Sequence, residues 1–516
     1  MGTKLELVWP GKYDRFALVR DEATGKPVQV PYESIQPRIL IEQECYGNPE
    51  SENLLIGGEN LFALTTLLAS GYADQVKLVY IDPPFNTGNT FSHYDDGLEL
   101  SLYLTVMRDR LSILQRLLAP DGLIFVHLDN NAVFHVRMLM DELFGRDRFV
   151  NDIIWKRSDS HKSSRKASVI HDTILVYAKT PAYFWREVYI PYSDKRIATA
   201  YKNRDSDGRQ YTLSDLMAPG DRPCTKSDYI WKGVTPKKGR HWSYTLEEVQ
   251  DLERQGLVVW NKNGVPKLKV YLDEAKGVPM PSMWVDLPML KGGAESRGFD
   301  TQKPEALLQR ILTVATSPGD LVLDCFVGSG TTASVAHKMD RRWIGIEAGA
   351  QAASHCLPRL KEVVDGTDQS GISKTVPPLS KANNADKGPV ENEEIPLGWT
   401  GGAGFRYYTL GKALMEQDAA LGVWRLNYDN GKLIESICLQ EGYKLCADGV
   451  RHGVKGRHFA HITEQFVTQE YLDALASSLT EDEALTIYYL KAARKLHLPS
   501  NVVTKRIPQA LLGGNQ

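Results

Sequence analysis

Apolar residues in this chain come in short runs divided by polar turns, and the runs alternate between strand and helix periods. Leu54-Leu55-Ile56 is a strand-like run that stops at Gly57-Gly58-Glu59-Asn60. Leu61, Leu64, Leu67 and Leu68 then recur at helical spacing. Val76–Ile81 is the next strand, and it delivers Asp82. Strand, helix, strand predicts a right-handed parallel βαβ unit. Ligands of such sheets bind beyond the carboxyl ends of the strands, where Glu59 and Asp82 both fall.

The same rhythm continues. The spacing predicts a helix over 102–118 that stops at Pro120-Asp121-Gly122, then a buried strand over 123–128 that ends at Asp129. A helix is expected over 133–143, closing at Gly145. Val150–Trp155 and Thr173–Tyr177 read as two strands joined by a loop. That loop carries Lys156, Arg157, Lys162, Arg165 and Lys166 among serines, and it reads either as a basic patch or as ordinary solvated surface. The rhythm breaks over 180–297 and returns at Thr301-Gln302-Lys303-Pro304, with a helix over 305–316. Leu321–Asp324 is a strand, followed by a glycine-rich turn and a helix start. Trp343–Ile346 is the next strand and ends at Glu347.

These breaks divide the chain into an N-terminal arm (1–53), an α/β segment (54–179), an irregular insertion (180–297), a second α/β segment (298–364), a polar linker (365–396) and a C-terminal domain (397–516). In the insertion, aromatics alternate with cations, as in Tyr183-Phe184-Trp185-Arg186 and Arg240-His241-Trp242. That pattern suits a nucleic-acid surface and a plain inserted domain equally. The linker lacks the apolar residues a core needs. Gly401 to Tyr408 reads as a glycine/aromatic turn, and 484–490 and 502–507 look like strands.

Composition narrows the class. A chain of 516 residues affords several domains, and a formal net charge of −3 announces no global polycation. The six cysteines form no C-x-x-C pair and no cluster at ligand spacing, so free thiols and no metal site are expected. The first residues lack a signal-peptide core and a myristoylation pattern, and no stretch is apolar enough to span a bilayer. A cytoplasmic protein with no membrane partner is expected.

Two motifs carry chemistry. The first is Asp82-Pro83-Pro84-Phe85, continuing into Asn86-Thr87-Gly88. The prolines stiffen the turn and remove two donors. An acceptor-only carboxylate, a fixed carbonyl and a flat ring then stand together at a strand end. The carboxylate and the Pro83 carbonyl can accept N–H from an amino group on a planar ring, and Phe85 can stack on that ring. The second motif is Gly328-Ser329-Gly330-Thr331-Thr332-Ala333, which fits the dinucleotide fingerprint, with Glu347 placed for ribose hydroxyls. Asp324 at the strand end would oppose a pyrophosphate but suits a cationic amino acid. S-adenosylmethionine, with its ammonium, sulfonium and ribose diol, therefore fits these residues better than NAD.

Together, Asp82-Pro83-Pro84-Phe85 and Asp324-x-Phe326-x-Gly328-Ser329-Gly330 resemble the DNA amino-methyltransferases of adenine N6 and cytosine N4. The catalytic motif precedes the cofactor motif, as in the permuted β class. Asp82 to Asn89, Thr301 to Pro304, Trp9-Pro10-Gly11-Lys12 and the Gly401–Tyr408 stretch further resemble the modification subunits of type III restriction systems. Two positions depart from the family pattern: Glu59 stands where Asp is usual, and Phe85 where Tyr is frequent.

The resemblance implies a Rossmann-like α/β fold. Its seven-stranded, mostly parallel sheet has one antiparallel hairpin strand, an inserted target-recognition domain at 180–297 and a C-terminal α+β domain. It implies that segments 54–179 and 298–364 are the catalytic and cofactor-binding halves of one domain. Asp82, Pro83, Pro84 and Phe85 would act on the target base. Glu59, Asn60, Asp82, Lys303, Asp324, Phe326, Gly328, Ser329, Gly330, Thr331, Thr332 and Glu347 would hold S-adenosylmethionine. Lys156, Arg157, Lys162, Arg165 and Lys166 would meet double-stranded DNA. The implied partners are a second copy of the chain and a helicase/nuclease restriction subunit. The base expected is adenine, because cytosine-N4 members often carry Ser where this chain has Asp82. The alternatives are cytosine N4, or a DNA-binding subunit with a vestigial site.

Overall fold

The computed structural model describes residues 6–21, 26–84, 98–159, 167–220, 226–373, 399–417, 423–427, 432–446 and 448–512. The described residues form two compact units, one of them Glu187–Pro281 and the other the remainder.

The larger unit is built on one sheet. Its strands and those beside it are, in chain order, β1 (Phe16–Arg20), β2 (Pro27–Pro31), β3 (Leu40–Gly47), β4 (Leu54–Gly57), β5 (Val76–Ile81), β6 (Leu118–Leu128), β7 (Phe149–Lys156), β8 (His171–Ala178), β9 (Met283–Trp284), β10 (Leu321–Asp324), β11 (Arg342–Glu347) and β12 (Gly404–Leu410). β1 and β2 form a separate hairpin. The other ten lie in the order β9-β7-β8-β6-β5-β10-β11-β4-β12-β3. The expected sheet has seven strands; β9 on one side and β12 with β3 on the other make the difference. β4, β5, β6, β10 and β11 run parallel, and β8 is antiparallel to both β6 and β7. The strand of the late motif, β10, thus lies directly beside β5, the strand of the early one.

The helices connected to these strands include α1 (Asn60–Leu67), α2 (Leu100–Leu117), α3 (Val133–Phe144), α4 (Glu305–Ala315), α5 (Thr331–Lys338) and α6 (Leu357–Val364). Alternation along the strands sorts the two faces. Val79, Ile81, Ile124 and Val126 join one buried cluster with Leu64, Leu67, Met107, Leu111, Val136 and Met140 of α1–α3. Leu78, Tyr80, Phe125 and His127 are equally buried on the other face. Burial on both faces explains why these strands read as continuous apolar runs.

The Gly401–Tyr408 stretch is a turn only at its start. Gly401 and Gly402 have positive φ, but from Gly404 onward the chain is β12, parallel to β4 and antiparallel to β3. A Cβ on Gly404 would lie 2.5 Å from the Asn48 nitrogen and the Tyr46 oxygen, so glycine here serves close strand approach. Residues 404–410 therefore belong to the central sheet and not to a separate C-terminal domain. The expected N-terminal arm likewise supplies a sheet strand, β3. Beyond β12, a five-stranded sheet includes Ala484–Ala492 and Val502–Arg506.

In the smaller unit, Gln210–Asp215, Pro266–Tyr271 and Val258–Trp260 lie in an antiparallel four-stranded sheet. Trp231, Trp242 and Val249 are its buried core, and Tyr201 and Tyr271 are also buried. Arg209 stacks 3.8 Å from the Tyr271 ring centre. Several of the aromatics interleaved with cations here thus serve packing, while Lys237 and Lys238 are exposed.

Among the described residues no helix is long and apolar enough to cross a membrane, and no His/Cys/Asp/Glu group could hold a metal. The five described cysteines are free thiols.

Candidate active site

Asp82 leaves the end of β5 and is followed by Pro83 and Pro84, and all three line a cavity of about 650 Å³. The Asp82 Oδ2 atom is ion-paired with the Lys303 ammonium, which is itself buried. Lys303 is delivered by the Thr301–Pro304 turn, where Pro304 caps α4 with φ −68°. The other carboxylate oxygen, Oδ1, is buried and has no hydrogen-bond partner among the described residues. A buried acceptor left bare costs free energy, so its position at a cavity wall marks the place for a donor. Phe85 and Asn86–Gly88 lie outside the described residues.

The neighbouring strand end is equally acidic. Asp324 closes β10; its Oδ1 accepts the Phe326 N–H at 2.9 Å, and its Oδ2 accepts the Thr332 hydroxyl at 2.6 Å. Glu347 closes β11 and accepts the Gly328 N–H at 2.8 Å. Burial pushes Asp324 up to about 7, aided by the charges of Asp82 and Glu347. Burial likewise pushes Glu347 up to about 7, with Glu59 adding to the rise. All four carboxylates line the one cavity, together with Asn60, Lys303, Phe326, Gly328, Ser329, Thr331 and Thr332. A wall so rich in acceptors suits an ammonium, a sulfonium or a diol, and repels a phosphate.

Family comparison resolves what this wall belongs to. Residues 76–356 match the N6_N4_Mtase family, described as DNA methylase. The chain belongs to the N6/N4 DNA methylases. It is 32% identical over 406 residues to the type II methyltransferase M.EcaI of Enterobacter cloacae, covering 76% of this chain and 86% of that one. It is 30% identical over 355 residues to the StyLTI Mod subunit, a type III restriction-modification enzyme of Salmonella typhimurium. That match covers 61% of this chain and spans only 53% of the Mod subunit.

Two features of this methylase site were not read from the sequence. Arg110 of α2 is buried, pairs with Glu59 and donates from Nε to Asn60 Oδ1 at 2.6 Å. Glu59 also accepts the Arg20 N–H at 2.8 Å and caps α1, so its carboxylate is held from three sides. Asn60 Nδ2 in turn donates to the Cys325 carbonyl at 2.9 Å, tying the β4 end to the β10 end. Arg359 of α6 is also buried; it donates to the Thr331 hydroxyl at 2.9 Å and to Glu305 at 2.8 Å. Arginines on amphipathic helices read as solvent-facing, and only the carboxylates they meet reveal them as buried.

Other expected residues lie elsewhere. Gly330 is not among the residues lining the cavity. It opens α5 with φ 82°, and a Cβ there would face Cys356 at 3.5 Å. The methylase thus needs glycine here for its backbone conformation. Lys156 pairs with Asp159 at 2.7 Å and Arg157 with Asp172 at 3.1 Å, and neither cation is among the residues lining the cavity. Lys162, Arg165 and Lys166 lie outside the described residues.

Proposed function

We propose that this chain transfers a methyl group to adenine N6 in duplex DNA, as the modification component of a restriction-modification or related phage-defence system. The observation that carries the reading is Asp82: one oxygen neutralised by Lys303, the other bare at the cavity wall. An aromatic amine is a poor nucleophile because its lone pair is delocalised into the ring. Asp82 Oδ1 and the Pro83 carbonyl accept its two hydrogens and draw them out of the ring plane, so that the lone pair localises toward the sulfonium. Acceptors fixed before the reaction are preorganised electrostatic catalysis. Phe85 stacks on the base, which is reached only by flipping it out of the duplex.

The methyl donor is S-adenosylmethionine, which supplies an electrophilic methyl on a sulfonium. Asp324 receives its ammonium, Glu347 its ribose hydroxyls, and Gly328 and Ser329 admit it close to the backbone. Lys303 stands between the two sites, next to Asp82. Lys156, Arg157, Lys162, Arg165 and Lys166 contact the DNA backbone, and residues 180–297 read its sequence. The working assembly is a homodimer, which sedimentation at micromolar concentration checks.

Adenine is favoured over cytosine N4 by the first motif residue, which is Asp82 and not Ser. Incubating unmethylated DNA with the purified protein and S-adenosylmethionine, then resolving nucleosides by mass spectrometry, decides it. N6-methyladenine is the expected product. N4-methylcytosine alone would overturn the base assignment, and no methylated nucleoside would overturn the activity.

A further inference from the structure

Beside the site lies a buried polar row that the methyl-transfer chemistry does not use. Tyr80 on β5, His127 on β6, Asp172 on β8 and Arg157 just past β7 stand on four neighbouring strands. Tyr80 Oη is 2.9 Å from His127 Nδ1, and His127 Nε2 is 3.2 Å from Asp172 Oδ2. Arg157 Nη1 is 3.1 Å from Asp172 Oδ1. Tyr80, His127 and Asp172 are all buried, and Trp155 meets the imidazole edge-on with ring centres 5.5 Å apart.

A tautomer that suits both imidazole contacts has the phenol donating to Nδ1 and Nε2–H donating to Asp172 Oδ2, while Asp172 Oδ1 has only its ion pair with Arg157. Burial raises the Asp172 carboxyl, but His127, Lys303 and Arg157 outweigh it and hold it below its usual value. Burying such a row costs free energy that apolar side chains would spare. Its two ends explain its presence. Tyr80 stands two residues before Asp82 and lines the cavity. Arg157 keeps its guanidinium 35% exposed, at the root of the basic segment. An arginine ion-paired with a buried carboxylate on one side keeps N–H donors on its exposed side for a phosphate.

We infer that Tyr80, His127, Asp172 and Arg157 form a positioning chain: it fixes the Tyr80 ring in the wall of the target-base pocket and ties that wall to a backbone phosphate held by Arg157. The inference rests on the DNA-methyltransferase reading. A phenol anchored at its oxygen cannot swing into the pocket, and the anchor is itself fixed by a charge that DNA binding engages.

The test is single-turnover methyl transfer at saturating DNA and cofactor, with DNA KM, cofactor affinity and thermal unfolding measured on the same proteins. Tyr80→Phe, which removes a hydrogen bond, and Arg157→Gln, which removes an ion pair, should each slow the step about tenfold, the scale of one lost polar contact. The double variant should be no slower than the slower single one, because both cut the same chain. Arg157→Gln should also raise the DNA KM, while cofactor affinity stays put in all. His127→Gln, which keeps a donor and an acceptor, should retain more rate than His127→Leu. Multiplicative loss in the double variant, or an unmoved single-turnover rate, would overturn the chain while leaving the activity in place. Absence of DNA methylation by the unaltered protein would take both down.

Discussion

Lys303 forms an ion pair with Asp82, 221 positions earlier in the chain. The pair joins the two motifs physically: one partner ends β5, the other opens α4. It engages one Asp82 oxygen and leaves the other without a hydrogen-bond partner among the described residues, as an acceptor for an amino group needs. Lys303→Met would leave that carboxylate without its cation. Unfolding free energy should fall by about 3 kcal/mol, read by denaturant titration. Asp82→Asn keeps the shape of the side chain and should leave DNA binding intact while slowing methyl transfer by about 100-fold or more.

Asp324 and Glu347 make cofactor binding depend on pH. Both are raised to about 7, mainly by burial. Carboxyls raised in the folded protein hold protons that the unfolded chain has already lost, so the ligand-free protein should lose stability as pH climbs from about 4 to about 7. A cationic ligand favours the ionised forms, so S-adenosylmethionine affinity should rise over the same window, with proton release. Calorimetry in buffers of different ionisation enthalpy reads this directly. Asp324→Asn should weaken binding and flatten its pH dependence.

At Gly330 the demand is conformational. Gly330→Ala places a side chain at φ 82° with only ordinary contact to Cys356. The cost should be about 1 kcal/mol of stability from the left-handed backbone. Cofactor affinity should fall only as far as the turn between Gly328 and Thr331 shifts. A full loss of binding in a folded variant would show that Gly330 does more than turn the chain.

Arg359 should matter more to the cofactor loop than any residue of α6 facing water. Removing it in Arg359→Met strips Thr331 and Glu305 of a buried donor. A loss of about 3 kcal/mol in stability is expected. Bound S-adenosylmethionine should restore part of it, and the ligand-induced shift in Tm is the measurement.

Neutralising Lys162, Arg165 and Lys166 together should weaken binding to every DNA sequence alike. The slope of log affinity against log salt should fall by about 3 if each meets one phosphate. An unchanged slope would make the segment plain surface.

Much of the site was legible because its residues sit where strands end. Glu59, Asp82, Asp324 and Glu347 each come after a short apolar run, and the parallel arrangement brings all four to one cavity. The β7–β8 hairpin was legible for a similar reason, since both its strands are apolar runs of their own. What escaped was whatever depends on a distant partner. Arg110 and Arg359 look like surface residues until Glu59 and Glu305 are placed against them. β3 and β12 carry weak patterns of their own, and they become strands because they pair across the chain, as with Tyr408 and Glu42, 366 positions apart. Trp231 and Trp242 show the converse: aromatics beside cations can be a small domain's own core.

Strand β12 fastens the late part of the chain to the early part. It lies between β4, whose end carries Glu59, and β3 near the start. A stop codon before residue 404 would thus unzip an edge two strands wide, and β3 would lose its only partner among the described residues. Recombination that exchanges the C-terminal region between relatives must therefore carry over a strand in register with Leu54–Gly57. The seven residues of the strand that ends at Leu410 thus travel with the central sheet and not with the residues that follow.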